Sequence, residues 1–284
     1  MNAFKTALLM TLMTFVFVFF GGVLAGPRGV VFALIFALVM NFISYWFSAQ
    51  AVLAFYKAKE ITRNDAPEFY SIIERLARKA DLPMPRVCII PSPQPNAFAT
   101  GRNPENAVVA ATEGLLNMLD SREIEAVMAH ELAHVKHRDI LIATVVATFA
   151  GAISSIAWFA KWGMIFGGMR GNDDDSSGLE VLVLAIVAPI IALIVQMAIS
   201  RSREYHADEY AGKLTGDPKA LASALQRIHQ GVAHIPMQAG PATAHMWISS
   251  PLSGKSLMTL FSTHPSMEDR VERLVEQSHE INAN

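Results

Sequence analysis

The stretch His130-Glu131-Leu132-Ala133-His134-Val135-Lys136-His137-Arg138-Asp139-Ile140 decides how this chain is read. It sets an H-E-x-x-H sequence in a helical run, just ahead of a long apolar segment that begins at Ile140. On a helix, positions i and i+4 lie one above the other, so the spacing points His130 and His134 at one Zn²⁺. Glu131 then sits beside the metal, close enough to take a proton from water there, which is the chemistry of a zinc peptidase.

A catalytic zinc normally takes three protein ligands and leaves its fourth position to water. A metzincin would carry Gly three residues after His134 and His three further on; His137 and Ile140 stand there instead. A gluzincin needs a Glu on a second helix. Ser200-Arg201-Ser202-Arg203-Glu204-Tyr205-His206-Ala207-Asp208-Glu209-Tyr210 supplies Glu204, with Asp208 one helical turn on and on the same face.

Composition says where this chemistry sits. The 284 residues are 52% hydrophobic and only 17% charged, with a mean hydropathy of +0.32, which marks a membrane protein. Four stretches reach the roughly 20 residues that a hydrocarbon core requires: residues 8–24, 30–54, 140–160 and 181–200. Pro27-Arg28-Gly29 reads as the tight turn of a helical hairpin, against the alternative of a signal peptide ending near Ala25-Gly26. Lys57, Lys59, Arg63, Lys136, Arg138, Arg201 and Arg203 border one side of these spans, and only Arg28 and Arg170 lie in the opposite loops. The positive-inside rule therefore puts both termini and the motif-bearing segments in the cytoplasm. The predicted organisation is a transmembrane hairpin (1–56), the first part of a cytoplasmic protease domain with the zinc helix (57–139), a second hairpin (140–200) and the rest of that domain (201–284).

Within the soluble part, Asn64-Asp65 with Pro67 reads as a helix start, and Phe69, Ile72, Ile73, Leu76 and Ala80 recur at helical spacing up to Leu82-Pro83. Residues 87–90 and 107–111 read as strands of a small sheet, with Asn96-Ala97-Phe98-Ala99-Thr100-Gly101 between them. Asp120 and Glu123 have the spacing of a capping box for the helix that carries His130. Further helices are expected through Glu204 and Asp208 to about residue 214, over about 218–230, and over 266–280, with another possible strand at 244–248. The single cysteine, Cys88, reads as a buried strand residue with no disulfide partner in the chain. A net charge of −2 gives no sign of nucleic-acid binding.

Asn96-Ala97-Phe98-Ala99 with Gly101, the H-E-x-x-H sequence followed by Asp139, Arg203-Glu204 with Ala207-Asp208, and Ser262-Thr263-His264-Pro265 with Arg270 together resemble the HtpX-type membrane metalloproteases, bacterial relatives of the Ste24 prenyl-protein and Oma-type peptidases. The resemblance covers most of the chain. It implies an α-helical membrane protein of four transmembrane helices, with a cytoplasmic α+β gluzincin-type protease domain and one Zn²⁺ per chain. By that likeness His130, His134 and Glu204 bind the metal, Glu131 is the general base, and Asp208 accepts the free ring N–H of His130. Asp139 either orients the site or simply ends the helix before the third span. His264 is implied as the donor to the oxyanion, and Asn96, Ala97, Phe98 and Ala99 as the edge strand on which an extended polypeptide lies. Implied substrates are misfolded or damaged membrane proteins at the inner membrane. The alternatives are an intramembrane protease of the site-2 type, a prenyl-protein protease, and a non-catalytic scaffold that keeps zinc for structure. Glu123, Glu125, Lys136 and Arg138 flank the motif and place it in water or at the interface, not within a span.

Overall fold

Apolar residues fill almost every turn of the helical segment α1, Asn2–Phe55, in the computed structural model, which describes residues 2–146, 201–235, 246–248 and 265–283. The helix is nonetheless folded back on itself. Asn41 Nδ2 donates to Thr14 Oγ1 at 2.9 Å, and the rings of Phe17 and Phe36 meet edge to face at 5.2 Å. In a straight helix Thr14 and Asn41 would stand about 40 Å apart. The reversal falls at Gly26, whose φ of 60° suits glycine, one residue ahead of the expected Pro27-Arg28-Gly29 turn. The second arm, Gly26–Phe55, is long and apolar enough to cross a membrane; the first contains a shorter apolar helix, Thr6–Phe19. Of the expected third span only residues 140–146 are described, as helix; there Ile142, Val145 and Val146 pack on Leu9 and Met13 of the first arm. The expected fourth span lies outside the described residues.

The sheet consists of β1 (Lys59–Glu60), β2 (Arg86–Ile90), β3 (Ala97–Thr100) and β4 (Val108–Thr112) in the order β1-β2-β4-β3. β2 and β4 run parallel, and β3 pairs antiparallel with β4, so that β3 forms one edge among the described strands. Its two faces are separately buried, as alternation requires. Val87, Ala97, Ala99, Val109 and Ala111 join a core with α2 (Pro67–Lys79) and the helices described below. Cys88, Phe98, Val108 and Ala110 face the other way, onto Val52, Leu53 and Tyr56 at the end of α1. The last turns of the apolar hairpin thus share a core with the sheet. Tyr56 accepts a hydrogen bond from Trp247 Nε1 at 3.1 Å, and Tyr56, Phe98 and Trp247 form an aromatic cluster.

Two elements were invisible to periodicity: two-residue β1, and α3 (Glu113–Met118), which Thr112 caps through its side chain. α4 (Ser121–Lys136) opens on the expected capping box, with Asp120 and Glu123 both making their halves of it. Glu123 is buried and also receives Ser223 Oγ at 2.7 Å and the Arg227 guanidinium. α5 (Arg201–Thr215), α6 (Pro218–His234) and α7 (Met267–Ala283) complete the domain, and α4 packs directly on α5 and α6. Met246–Ile248 does not form the expected strand. It is a turn, with one backbone bond from Ile248 N–H to Ala97 O at 3.1 Å.

Candidate metal centre

Why α4 and α5 meet at this point follows from their small residues. Ala126, Ala129 and Ala133 on α4 and Ala207 and Ala211 on α5 are buried, and side chains of that size let the helix axes approach closely. Polar groups carried between them lose water. His130 is 1% exposed, Glu131 2%, Asp208 3% and Glu204 7%.

The imidazoles of His130 and His134 turn toward each other, Nε2 to Nε2 at 3.2 Å. Glu204 Oε2 stands 3.8 Å from His130 Nε2, and Glu204 Oε1 3.6 Å from His134 Nε2. One ligand atom from each of the three lies within 4.8 Å of the others. Atoms bound to one tetrahedral zinc at about 2.0–2.1 Å stand about 3.3 Å apart, so the three define a face that a divalent ion fits. A second observation agrees. Glu131 Oε1 is buried with no hydrogen-bond partner among the described residues, a costly arrangement unless something else occupies the site.

Each imidazole is backed by a carboxylate. Asp208 Oδ1 lies 2.9 Å from His130 Nδ1, a close but off-axis contact, and Asp139 Oδ2 lies 3.3 Å from His134 Nδ1. Such partners fix the tautomer that turns Nε2 to the metal. Arg203 Nη1 on α5 stands 3.6 Å from Asp139 Oδ1. Asp208 is gripped from α7 by Arg270, whose Nε and Nη2 donate to its two oxygens at 2.8 and 2.6 Å. Arg270 belongs to the motifs quoted above, yet nothing in the sequence tied it to a partner 62 residues away.

Electrostatics follow from this burial. Desolvation raises the Glu131 carboxyl above its usual range, with the two imidazoles pulling the other way. Desolvation would also raise Asp208, but the Arg270 charge and its hydrogen bonds hold that carboxyl below the ordinary value. For His134, burial works against the proton; the Asp139 hydrogen bond and the Glu204 and Glu131 charges outweigh it and push the group up to about 9 in the metal-free protein.

The structure places β3 beside this centre. Thr112 N–H donates to Asn96 O, so pairing to β4 uses Asn96, Phe98 and Thr100, and the backbone groups of Ala97 and Ala99 face away from the sheet. Of these, Ala97 N–H is taken by Asn96 Oδ1 and Ala97 O by Ile248, while the Ala99 N–H lies close enough to Glu131 to favour its charged form. Phe98 points to the opposite face, into the aromatic cluster. His137 meets Tyr210 edge-on with ring centroids 5.7 Å apart. His264 lies outside the described residues, although the neighbouring Pro265 is buried.

Residues 63–278 match peptidase family M48. The chain is 54% identical over 275 residues to a protease HtpX homolog of Desulforapulum autotrophicum, covering 96% of this chain and 89% of that one. It is likewise 54% identical over 280 residues to a protease HtpX homolog of Burkholderia multivorans, covering 98% and 97%. The crystal structure of S. mikatae Ste24p shares the fold, with a TM-score of 0.54 at 19% identity over 96% of this chain and 66% of that one.

Proposed function

The chain belongs to peptidase family M48, and from that premise we propose that it is a zinc-dependent endopeptidase of the inner membrane that cleaves misfolded or damaged membrane proteins at the cytoplasmic face. It is a metallopeptidase and hydrolyses polypeptides. The observation that carries the reading is the convergence of His130, His134 and Glu204 from two helices with the buried Glu131 beside them.

His130, His134 and Glu204 would hold the ion. Zinc bound there would polarise the scissile carbonyl and lower the pKa of the attacking water toward about 7. Glu131 takes the proton from that water and passes it to the leaving amine; burial, by raising its pKa, fits it to both halves of the task. Asp208 and Asp139 orient the two imidazoles. By the family likeness His264 donates to the oxyanion, and the substrate lies extended along Asn96, Ala97, Phe98 and Ala99. A peptide held through its backbone leaves side chains little constrained, which suits clients defined by being unfolded.

The four-span, cytoplasm-facing arrangement rests on the basic residues that border the apolar segments, with the Gly26–Phe55 arm in support. Against a site-2-type intramembrane protease, the charges around the motif make soluble-domain contacts: Arg75 Nη2 donates to Glu125 at 2.8 Å, and Lys136 Nζ to Ala80 O at 2.6 Å. The test is cleavage of an unfolded polypeptide by detergent-purified protein, with and without chelator, beside Glu131→Gln. The proposal requires chelator-sensitive cleavage that Glu131→Gln abolishes while zinc stays bound. A Glu131→Gln protein that still supports cellular function would favour the zinc scaffold.

A further inference from the structure

We infer that Arg270 is a positioning residue of the metal centre, holding the plane of Asp208 and the seat of Glu204 through one guanidinium. The inference rests on the zinc-centre reading above and extends it to a residue on a third helix.

Arg270 is 1% exposed, among the largest fully buried side chains described. A buried ion pair seldom outdoes well-packed apolar residues of the same volume, so stability alone is a poor account of it. Its geometry gives a better one. The carboxylate torsion of Asp is broad, and a single donor would leave the plane loosely set. The two-pronged contact of Nε and Nη2 with both Asp208 oxygens, at 2.8 and 2.6 Å, fixes that plane and brings Oδ1 to His130 Nδ1. The third nitrogen, Nη1, stands 3.9 Å from Glu204 Oε2 and 3.4 Å from Ile248 O. Ile248 in turn donates its N–H to Ala97 O on the edge strand. One guanidinium therefore touches the partner of a metal histidine, the metal carboxylate, and the segment against the strand. A lysine carries the charge but not the fork.

The experiment uses the full chain in detergent. Arg270→Lys keeps a cation, and Arg270→Met with Asp208→Asn removes both buried charges together. Zinc affinity is read by chelator competition, ligand geometry by the visible spectrum of the cobalt-loaded protein, and turnover as kcat and KM on an unfolded polypeptide at saturating zinc. Expected in both variants is a zinc affinity about 10-fold or more weaker, the usual cost of losing such a partner, with a changed cobalt spectrum. At saturating zinc kcat falls while KM stays near wild type. A folded variant of either kind with wild-type zinc affinity, spectrum and kcat overturns the inference. So does failure of both to fold even with zinc, which would make Arg270 a core pillar. Failure of wild-type protein to bind zinc would instead defeat the metallopeptidase reading.

Discussion

The backbone N–H of Ala99 lies close enough to the Glu131 carboxylate to favour its charged form, linking the edge strand to the residue assigned as base. Ala99 sits at a position of β3 whose backbone groups point away from β4, where proline can be accepted without breaking the ladder. Ala99→Pro deletes that N–H dipole beside the buried carboxylate. A backbone dipole beside a buried carboxylate favours its charged form, so kcat should fall by roughly several-fold. Ala99→Gly keeps the N–H and should keep most of kcat. Unchanged turnover in Ala99→Pro would detach the strand from the base.

His134 makes the metal-free protein pH-sensitive in a definite direction. Its pKa is raised from 6.5 in the unfolded chain to about 9 in the fold. Stability from a raised histidine is fully present below the unfolded value and is lost as pH climbs through the folded one. The thermal midpoint of metal-free protein should therefore decline between about pH 6.5 and 9. Zinc needs the neutral imidazole, so loading at pH 7.5 should release a proton, visible as a buffer-dependent binding enthalpy. Asp139→Asn removes the main group that raises the pKa and should flatten the decline.

How far these features could be read in the sequence depended on the range of the interaction behind them. The i, i+4 histidines, the Asp120–Glu123 capping box and the apolar period of α2 are local, and each is written within a single turn or a few turns of chain. Glu204 was found because a gluzincin demands a carboxylate on a second helix, and Asp208 because it shares that face. The clamps on the carboxylates were not legible. Arg203 on Asp139 and Arg270 on Asp208 join residues 64 and 62 positions apart, and sequence pattern carries no signal for such pairs. β1 is too short to show alternation. The 244–248 segment has strand-like composition, but Trp247 is drawn into the Tyr56–Phe98 cluster, and Met246–Ile248 turns to seat it.

Gly114 supports the edge strand from behind. A Cβ built there would stand 2.0 Å from Pro93 O and 3.0 Å from the carbonyl carbon of Gln94, both backbone atoms of the loop that leads into β3. Its N–H donates to Ser92 O at 2.9 Å, so the loop cannot retreat without losing that bond. Gly114→Ala should cost about 1–3 kcal/mol by overpacking. A lowered thermal midpoint with wild-type zinc content is the expected result; an unchanged midpoint would mean that the 92–95 loop yields freely.

Cys88 tests how firmly the end of the apolar hairpin is docked on the sheet. The thiol is 2% exposed on β2, beneath Val52, Leu53 and Tyr56. Burial pushes its pKa up to about 11, helped by the Glu60 charge and opposed by Arg86. At pH 8 the reactive thiolate would be on the order of one part in a thousand, and the sulfur is buried. Intact protein should thus resist iodoacetamide at pH 8, and unfolded protein should be labelled within minutes. Tyr56→Ala removes one wall of the cluster and the acceptor for Trp247 Nε1. It should speed labelling of the native protein by loosening α1 from the sheet. Labelling of the unaltered native protein at the unfolded rate would show that the contact between α1 and the sheet opens readily in solution.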